Sequence, residues 1–294
     1  MTTAGTVLES VIALGAPAAD RTIRRRARPH RPGGIDMARV QPARSRAAPQ
    51  WNIALLDAFH LARGRSEIPL HRREQRLVAL IALQGGRPRG YLAGVLWPES
   101  TEKRATGNLR AALWRADRQA PGLLVHDRAG VRFDGAVRVD TEALNRCSAR
   151  IAAWRQAPGA IDRKACLRTL PVLLRGDLLP GWYDDWVIYE RARLAQQRLH
   201  ALQAVADLFI QLGRVPEALV AASTAVSIEP LHEPAIRSLV RAEIEDGDFS
   251  GALRDYDDYR ARVLSELGVP PSQRLDALVR PLLQARRRRA SVVA

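Results

Sequence analysis

Two cysteines, Cys147 and Cys166, are all that the 294 residues contain. No disulfide framework can hold a chain of this length with them, and reduced intracellular thiols are the default reading. Each thiol reads as a small buried hydrophobe. Lysine is equally scarce, with only Lys103 and Lys164, so the positive charge is carried by arginine. Long apolar runs are missing: none approaches the roughly 18 residues of a membrane-spanning helix. The start, MTTAGTVLESVIALGAPAAD, has no basic region and is interrupted by Glu9, which argues against a secretory signal. The location expected is therefore the cytoplasm, with no membrane contact.

Catalytic and cofactor motifs are missing as well. There is no Gly-x-x-x-x-Gly-Lys-Ser/Thr string to cradle phosphate, no Gly-x-Gly-x-x-Gly turn and no Gly-x-Ser-x-Gly elbow. His30, His60, His71, His126, His200 and His232 are scattered, and none stands at zinc-ligand spacing from a cysteine. No second domain has the shape of a phospho-acceptor receiver. The reading is of a protein with no catalytic residue, no metal and no cofactor.

What is present is a core and a large positive charge. Hydrophobic residues make up 47% and charged residues 26%, enough for a folded protein. Lys+Arg is 46 against Asp+Glu 31, a net +15. Such an excess points to a polyanionic partner, nucleic acid first among them, or to solvated arginines with no partner. The charge is uneven. Residues 1–50 and 51–146 each carry +6, residues 147–285 carry −1, and Arg286–Arg289 add +4. Four segments follow: a disordered basic leader (1–48), a first folded domain (49–145), a second (146–285) and a basic tail (286–294). The leader, with RTIRRRARPHRPGG, has little to bury and cannot offset its ordering entropy. It reads as an arm along phosphates, as a spacer, or as an overextended start with Met37 as the true first residue.

In the first folded domain, WNIALLDAFHLARG reads as strand, break, strand, with a turn at Gly64 and a short edge strand at Ile68–Leu70. HRREQRLVALIALQ reads as a helix closed by a left-handed cap at Gly85. RGYLAGVLWP is a short helix stopped at Trp97-Pro98. Ser100 or Thr101 is expected to cap a third helix running to about Gln119. Its core stripe is Ala105, Leu109, Ala112, Leu113 and Ala116. Opposite lie Arg104, Asn108, Ala111, Arg115 and Arg118, with Lys103, Gly107, Arg110 and Trp114 on one flank. LLVHDRAGVRF then reads as a hairpin turning at Asp127–Gly130.

Strands, three helices and a hairpin make a winged helix-turn-helix, with the third helix in the recognition position and the hairpin as wing. The residue types suit duplex DNA. Arginine forks onto guanine, asparagine pairs with adenine, and Ala111 permits close approach to base edges. Arg128 and Arg132 on the wing would meet phosphate or the minor groove. The candidate DNA-binding residues are Arg104, Asn108, Arg110, Ala111, Trp114, Arg115, Arg118, Arg128 and Arg132. The plainer alternative is a solvated face. Gly107 costs about 1 kcal/mol inside a helix, and close approach to a phosphate would explain it.

The second domain reads as amphipathic helices with short breaks. Gly213 and Gly247 are 34 residues apart, as are Ala218 and Ala252. That is the tetratricopeptide period, with small residues where paired helices pack closely. Tyr259 and Leu264 stand where the first copy has Ala225 and Pro230, so the second copy is degenerate. The aromatic group Trp182, Tyr183, Trp186 and Tyr189 reads as core and interdomain glue, or else as a partner or ligand site. Asp184 and Asp185 read as first-turn charges that suit the helix dipole.

WPESTEKRATGNLRAALWRADR resembles the DNA-binding part of the SARP family of bacterial transcriptional activators. Asn108, Leu109, Arg110, Leu113, Trp114 and Arg115 match, while Ala116 and Asp117 depart from the usual Leu and Arg. RGDLLPGWYDDWVIYERARL (Arg175–Leu194) and SELGVPPS (Ser265–Ser272) resemble the bacterial transcriptional activator domain. Over residues 51–285 the resemblance implies a mainly α fold, with a winged helix followed by an all-α tetratricopeptide-like domain. It implies a DNA-binding activator whose helical domain dimerises or contacts partners, and whose Trp97–Thr101 turn faces RNA polymerase. The alternative, motivated by Gly107, Ala116 and Asp117, is a protein–protein adaptor whose winged helix no longer binds DNA.

Overall fold

The computed structural model describes residues 51–157, 159 and 161–293, the side chains of 287–293 excepted. The expected leader, residues 1–48, lies outside them. The alternation Trp51-Asn52-Ile53-Ala54 makes strand β1 (Trp51–Ala54), with Trp51 and Ile53 buried. It pairs antiparallel with β2 (His60–Arg63), from Trp51 opposite Arg63 to Ala54 opposite His60. The short edge strand is β3 (Ser66–Glu67), two residues before its expected place at Ile68–Leu70. The Gly64 turn is tight enough for Arg63 to pair directly with Ser66, and Pro69 has no N–H to give a ladder.

Three helices follow: α1 (Arg72–Gln84), α2 (Arg89–Leu96) and α3 (Glu102–Gln119). Gly85 ends α1 with φ 78° and ψ −171°, so it has positive φ but is extended rather than left-handed helical. Thr101 holds the N-cap position of α3, yet its side chain makes no capping bond, which corrects the expected cap. Hairpin β4 (Leu124–His126) and β5 (Val131–Phe133) stands beside them. Arg87 and Val131 exchange backbone bonds of 3.0 and 2.9 Å, which stitch the hairpin to the α1–α2 loop. At Gly130 (φ 143°) a Cβ would lie 2.3 Å from the Arg87 carbonyl oxygen, so only glycine permits this approach.

Strand β6 (Val137–Val139) then returns to pair parallel with β1, giving a sheet ordered β3-β2-β1-β6. Nothing local announces it, because its partner lies more than eighty residues away. The chain passes directly into α4 (Asp140–Gln156), so residues 145 and 146 sit inside a helix. Asp140 accepts from the backbone N–H groups of Leu55 and Leu56, both at 3.0 Å. Burial raises its pKa against the lowering pull of those bonds and of Arg175.

The rest of the chain is helical: α5 (Arg163–Leu167), α6 (Leu170–Leu173), α7 (Asp185–Gln211), α8 (Val215–Ile228), α9 (Glu233–Asp246), α10 (Phe249–Leu267) and α11 (Gln273–Val293). Ala218 and Ala252, one repeat period apart, are both fully buried where successive helices cross. Tyr259 fills the place of Ala225 and is buried too, while Leu264, in place of Pro230, is 55% exposed. The architecture is thus mainly α, a small N-terminal sheet and winged helix followed by helical hairpins.

One apolar cluster runs from Trp51 to Ala242, so the sheet and the first helices of the helical part share a core. The segment before α7 closes that join. Leu179 N–H donates to Leu55 O (2.8 Å), and Asp57 N–H donates to Asp177 O (3.0 Å). Arg175 Nε and Gly176 N–H both donate to the Asp57 carboxylate, at 2.9 and 2.8 Å. Among the described residues, no helix is long and apolar enough to cross a membrane.

Candidate nucleic-acid interface

Helix α3 is amphipathic for the reason its spacing gives. Ala105, Leu109, Ala112, Leu113 and Ala116 are all buried, at most 3% exposed. At about 100° per residue, the face directly opposite this stripe carries Lys103, Gly107, Arg110, Ala111, Trp114 and Arg118. The outermost ridge is therefore rotated from the one drawn through Asn108 and Arg115. Those two are half-buried on a flank, while Arg104, Arg110, Ala111 and Arg118 are exposed and Trp114 is 59% exposed.

The arginines divide by what they touch. The side chains of Arg104, Arg110 and Arg128 have no hydrogen bond, ion pair or ring contact among the described residues. The Arg118 guanidinium lies 4.9 Å from the Trp114 ring centroid, so one cation–aromatic unit forms the C-terminal end of the ridge. Arg132, on the wing, pairs with Asp127 at 3.3 Å, both side chains about half exposed. Arg115 is different. Its Nε donates to Oε1 of Glu74 at 2.6 Å, and Glu74, on α1, is fully buried. That contact belongs to the packing of α3 on α1, and it leaves Arg115 less free to fork onto a base than the exposed arginines.

Asp117, which departs from the usual arginine, has a structural job. His126 Nε2–H donates to Asp117 Oδ2 at 2.8 Å, and Arg89 donates to His126 Nδ1 at 3.1 Å. The relay ties the end of α3 to the first wing strand and fixes the imidazole tautomer. A carboxylate engaged in this way disturbs nearby phosphate less than a free one would. Ala116 is buried, so the missing leucine thins the core and not the exposed face. Gly107 has open space where a Cβ would stand, so no contact within the protein requires glycine there.

The aromatics near α7 divide as well. Trp182 and Trp186 are buried, but Tyr183 is 80% and Tyr189 69% exposed, which corrects their reading as core. Trp182 stacks on Phe59 at 6.1 Å, and the Arg72 guanidinium sits 3.7 Å from its ring centroid. Asp185 lies in the first turn of α7 as expected, and Asp184, its N-cap residue, pairs with Arg76 of α1. The signal missed in the sequence is Asp57, the loop residue on which Arg175 and Gly176 converge. No local pattern marks an aspartate whose partners lie more than a hundred positions away. Among the described residues, no cluster of His, Cys, Asp and Glu could hold a metal.

Residues 139–283 match the model of the bacterial transcriptional activator domain family. The chain is 28% identical over 238 residues to regulatory protein DnrI of Streptomyces peucetius, covering 76% of this chain and 88% of that protein. It is 27% identical over 217 residues to regulatory protein AfsR of Streptomyces coelicolor, covering 72% of this chain but only 22% of AfsR. The chain thus spans about a fifth of the AfsR length. Among solved structures, EmbR of Mycobacterium tuberculosis, in complex with a low-affinity phosphopeptide, is similar with a TM-score of 0.61 at 21% identity. That match covers 81% of this chain and 66% of the EmbR chain, and it concerns the fold.

Proposed function

We propose, from the match of residues 139–283 to the bacterial transcriptional activator domain and the likeness to regulators such as DnrI, that the chain is a SARP-type, sequence-specific DNA-binding activator. One observation carries the reading. The exposed ridge of α3 presents Arg104 and Arg110, with no side-chain partner among the described residues, and Ala111, beside a hairpin tied to it by the Asp117–His126–Arg89 relay. In this reading the ridge enters the major groove, Arg110 and Arg104 fork onto base edges or phosphates, and Ala111 and Trp114 supply apolar contact. Arg128 and Arg132 meet the backbone from the wing. Asn108 and Arg115 border the contact from the flank.

Residues 49–145 act as the reading part and 146–285 as the part that meets protein, a partner or a second copy. The exposed Tyr183, in the loop before α7, and Tyr189, on α7, support that second role, since exposed tyrosines favour protein contacts. The Trp97–Thr101 turn is proposed to face RNA polymerase. The place of action is the cytoplasm, and no enzymatic role is proposed.

Binding-site selection from random duplexes at physiological salt tests the reading. The result expected is one recurrent motif, with Arg110→Ala relaxing preference at a single position. Enrichment of no motif favours the adaptor reading, which Gly107 still motivates but Asp117, now partnered, does not.

A further inference from the structure

Three residues at the start of α1, Arg72, Glu74 and Arg76, make contacts in two directions. Arg72 and Arg76 are one turn apart and share a face. Arg72 stacks on Trp182, and its pKa is lowered because it is desolvated there, against the raising influence of Asp184. Arg76 pairs with Asp184 and donates to Leu96 O, at the end of α2, at 2.8 Å. Glu74 lies between them in sequence and about 200° round the helix. It is fully buried, and it holds Arg115 of α3. The helix that anchors the recognition helix is therefore itself anchored by the segment that opens α7.

We propose that α1 is a strut that sets the pose of α3 on DNA from the Trp182–Asp184 segment, with Arg115 and Glu74 as positioning residues. This rests on the reading of α3 as the helix that meets DNA. The exposed Tyr183 lies within the anchoring segment itself. A protein seated on it would bear directly on the strut, and the strut would carry the change to α3 as one rigid element. Interior packing supports such transmission, because packed elements shift between discrete arrangements and do not deform smoothly.

The test is a double-mutant cycle in the full chain, pairing Glu74→Gln with Asp184→Asn. The readout is the ratio of affinity for the selected operator to affinity for a scrambled duplex, at one salt concentration. Each single substitution lowers the ratio roughly two- to thirtyfold. The double variant falls no further than the worse single one, because both cut the same strut. Effects that multiply overturn the proposal. So does an unchanged ratio with both affinities reduced alike, since loss of folded protein, followed by circular dichroism, would do that. Should Glu74→Gln fail to fold, Arg115→Lys takes its place in the cycle. A wild-type chain that selects no operator and shows no steep salt dependence contradicts the DNA reading itself, before any variant is made.

Discussion

Helices α3 and α7 are both long and both carry several arginines, yet those arginines end in different places. On α7, Arg191 donates to the carbonyls of Leu178, Leu179 and Trp182 at 2.7–2.8 Å. Arg198 donates to Gly176 O at 2.7 Å and to Asp177 at 2.9 Å. Both serve as cross-braces by donating to the carbonyls of the loop that precedes α7. On α3, the Arg104 and Arg110 side chains have no hydrogen-bond, ion-pair or ring partner among the described residues. A count of arginines cannot tell a brace from a contact surface. The presence or absence of an internal acceptor can.

Substitutions should separate the two kinds. Arg191→Ala is expected to cost about 3 kcal/mol, because three carbonyls lose a charged donor. A urea titration showing an unchanged midpoint would contradict the brace. Arg115→Ala should follow at about 2 kcal/mol. It strands the buried Glu74 carboxylate, and the figure is set below the usual cost of breaking a buried pair because Arg115 is one-third exposed. Arg115 thus falls with the α7 arginines although it sits on α3.

Arg110→Ala should leave stability within about 0.5 kcal/mol but weaken operator binding by about 1–2 kcal/mol. A matched loss on every duplex would instead assign Arg110 to phosphate. Gly107→Ala gives the smallest effect, a gain of about 0.5–1 kcal/mol in stability, since a Cβ there meets open space. If DNA affinity drops while stability rises, the glycine serves close approach to the duplex. If affinity holds, its presence has no part in binding.

Local periodicity made much of this legible. The buried stripe of α3, the strand pair at Trp51–Arg63, the hairpin and the 34-residue spacing of Ala218 and Ala252 each follow from residues near one another in sequence. The features that the sequence hides share a cause. Strand β6, the Asp57 junction and the Glu74–Arg115 pair join residues from about forty to well over a hundred positions apart, and no short-range pattern encodes them. The ridge expected on α3 lies about one residue out of phase with the exposed one for a related reason. Asn108 and Arg115 look like surface residues by type, but the position of α1 makes them a flank. Chemistry alone reads Tyr183 and Tyr189 as core or as a partner site; in the fold Trp182 and Trp186 are buried, while Tyr183, ahead of α7, and Tyr189, on it, stay exposed.

The central proposal is that the exposed basic ridge on α3, with its wing, lies along a duplex. Titrating the selected operator between 50 and 200 mM salt tests this most directly. Six phosphate contacts predict a log–log slope of roughly −5 or steeper. Weak binding with a slope near zero would contradict the claim.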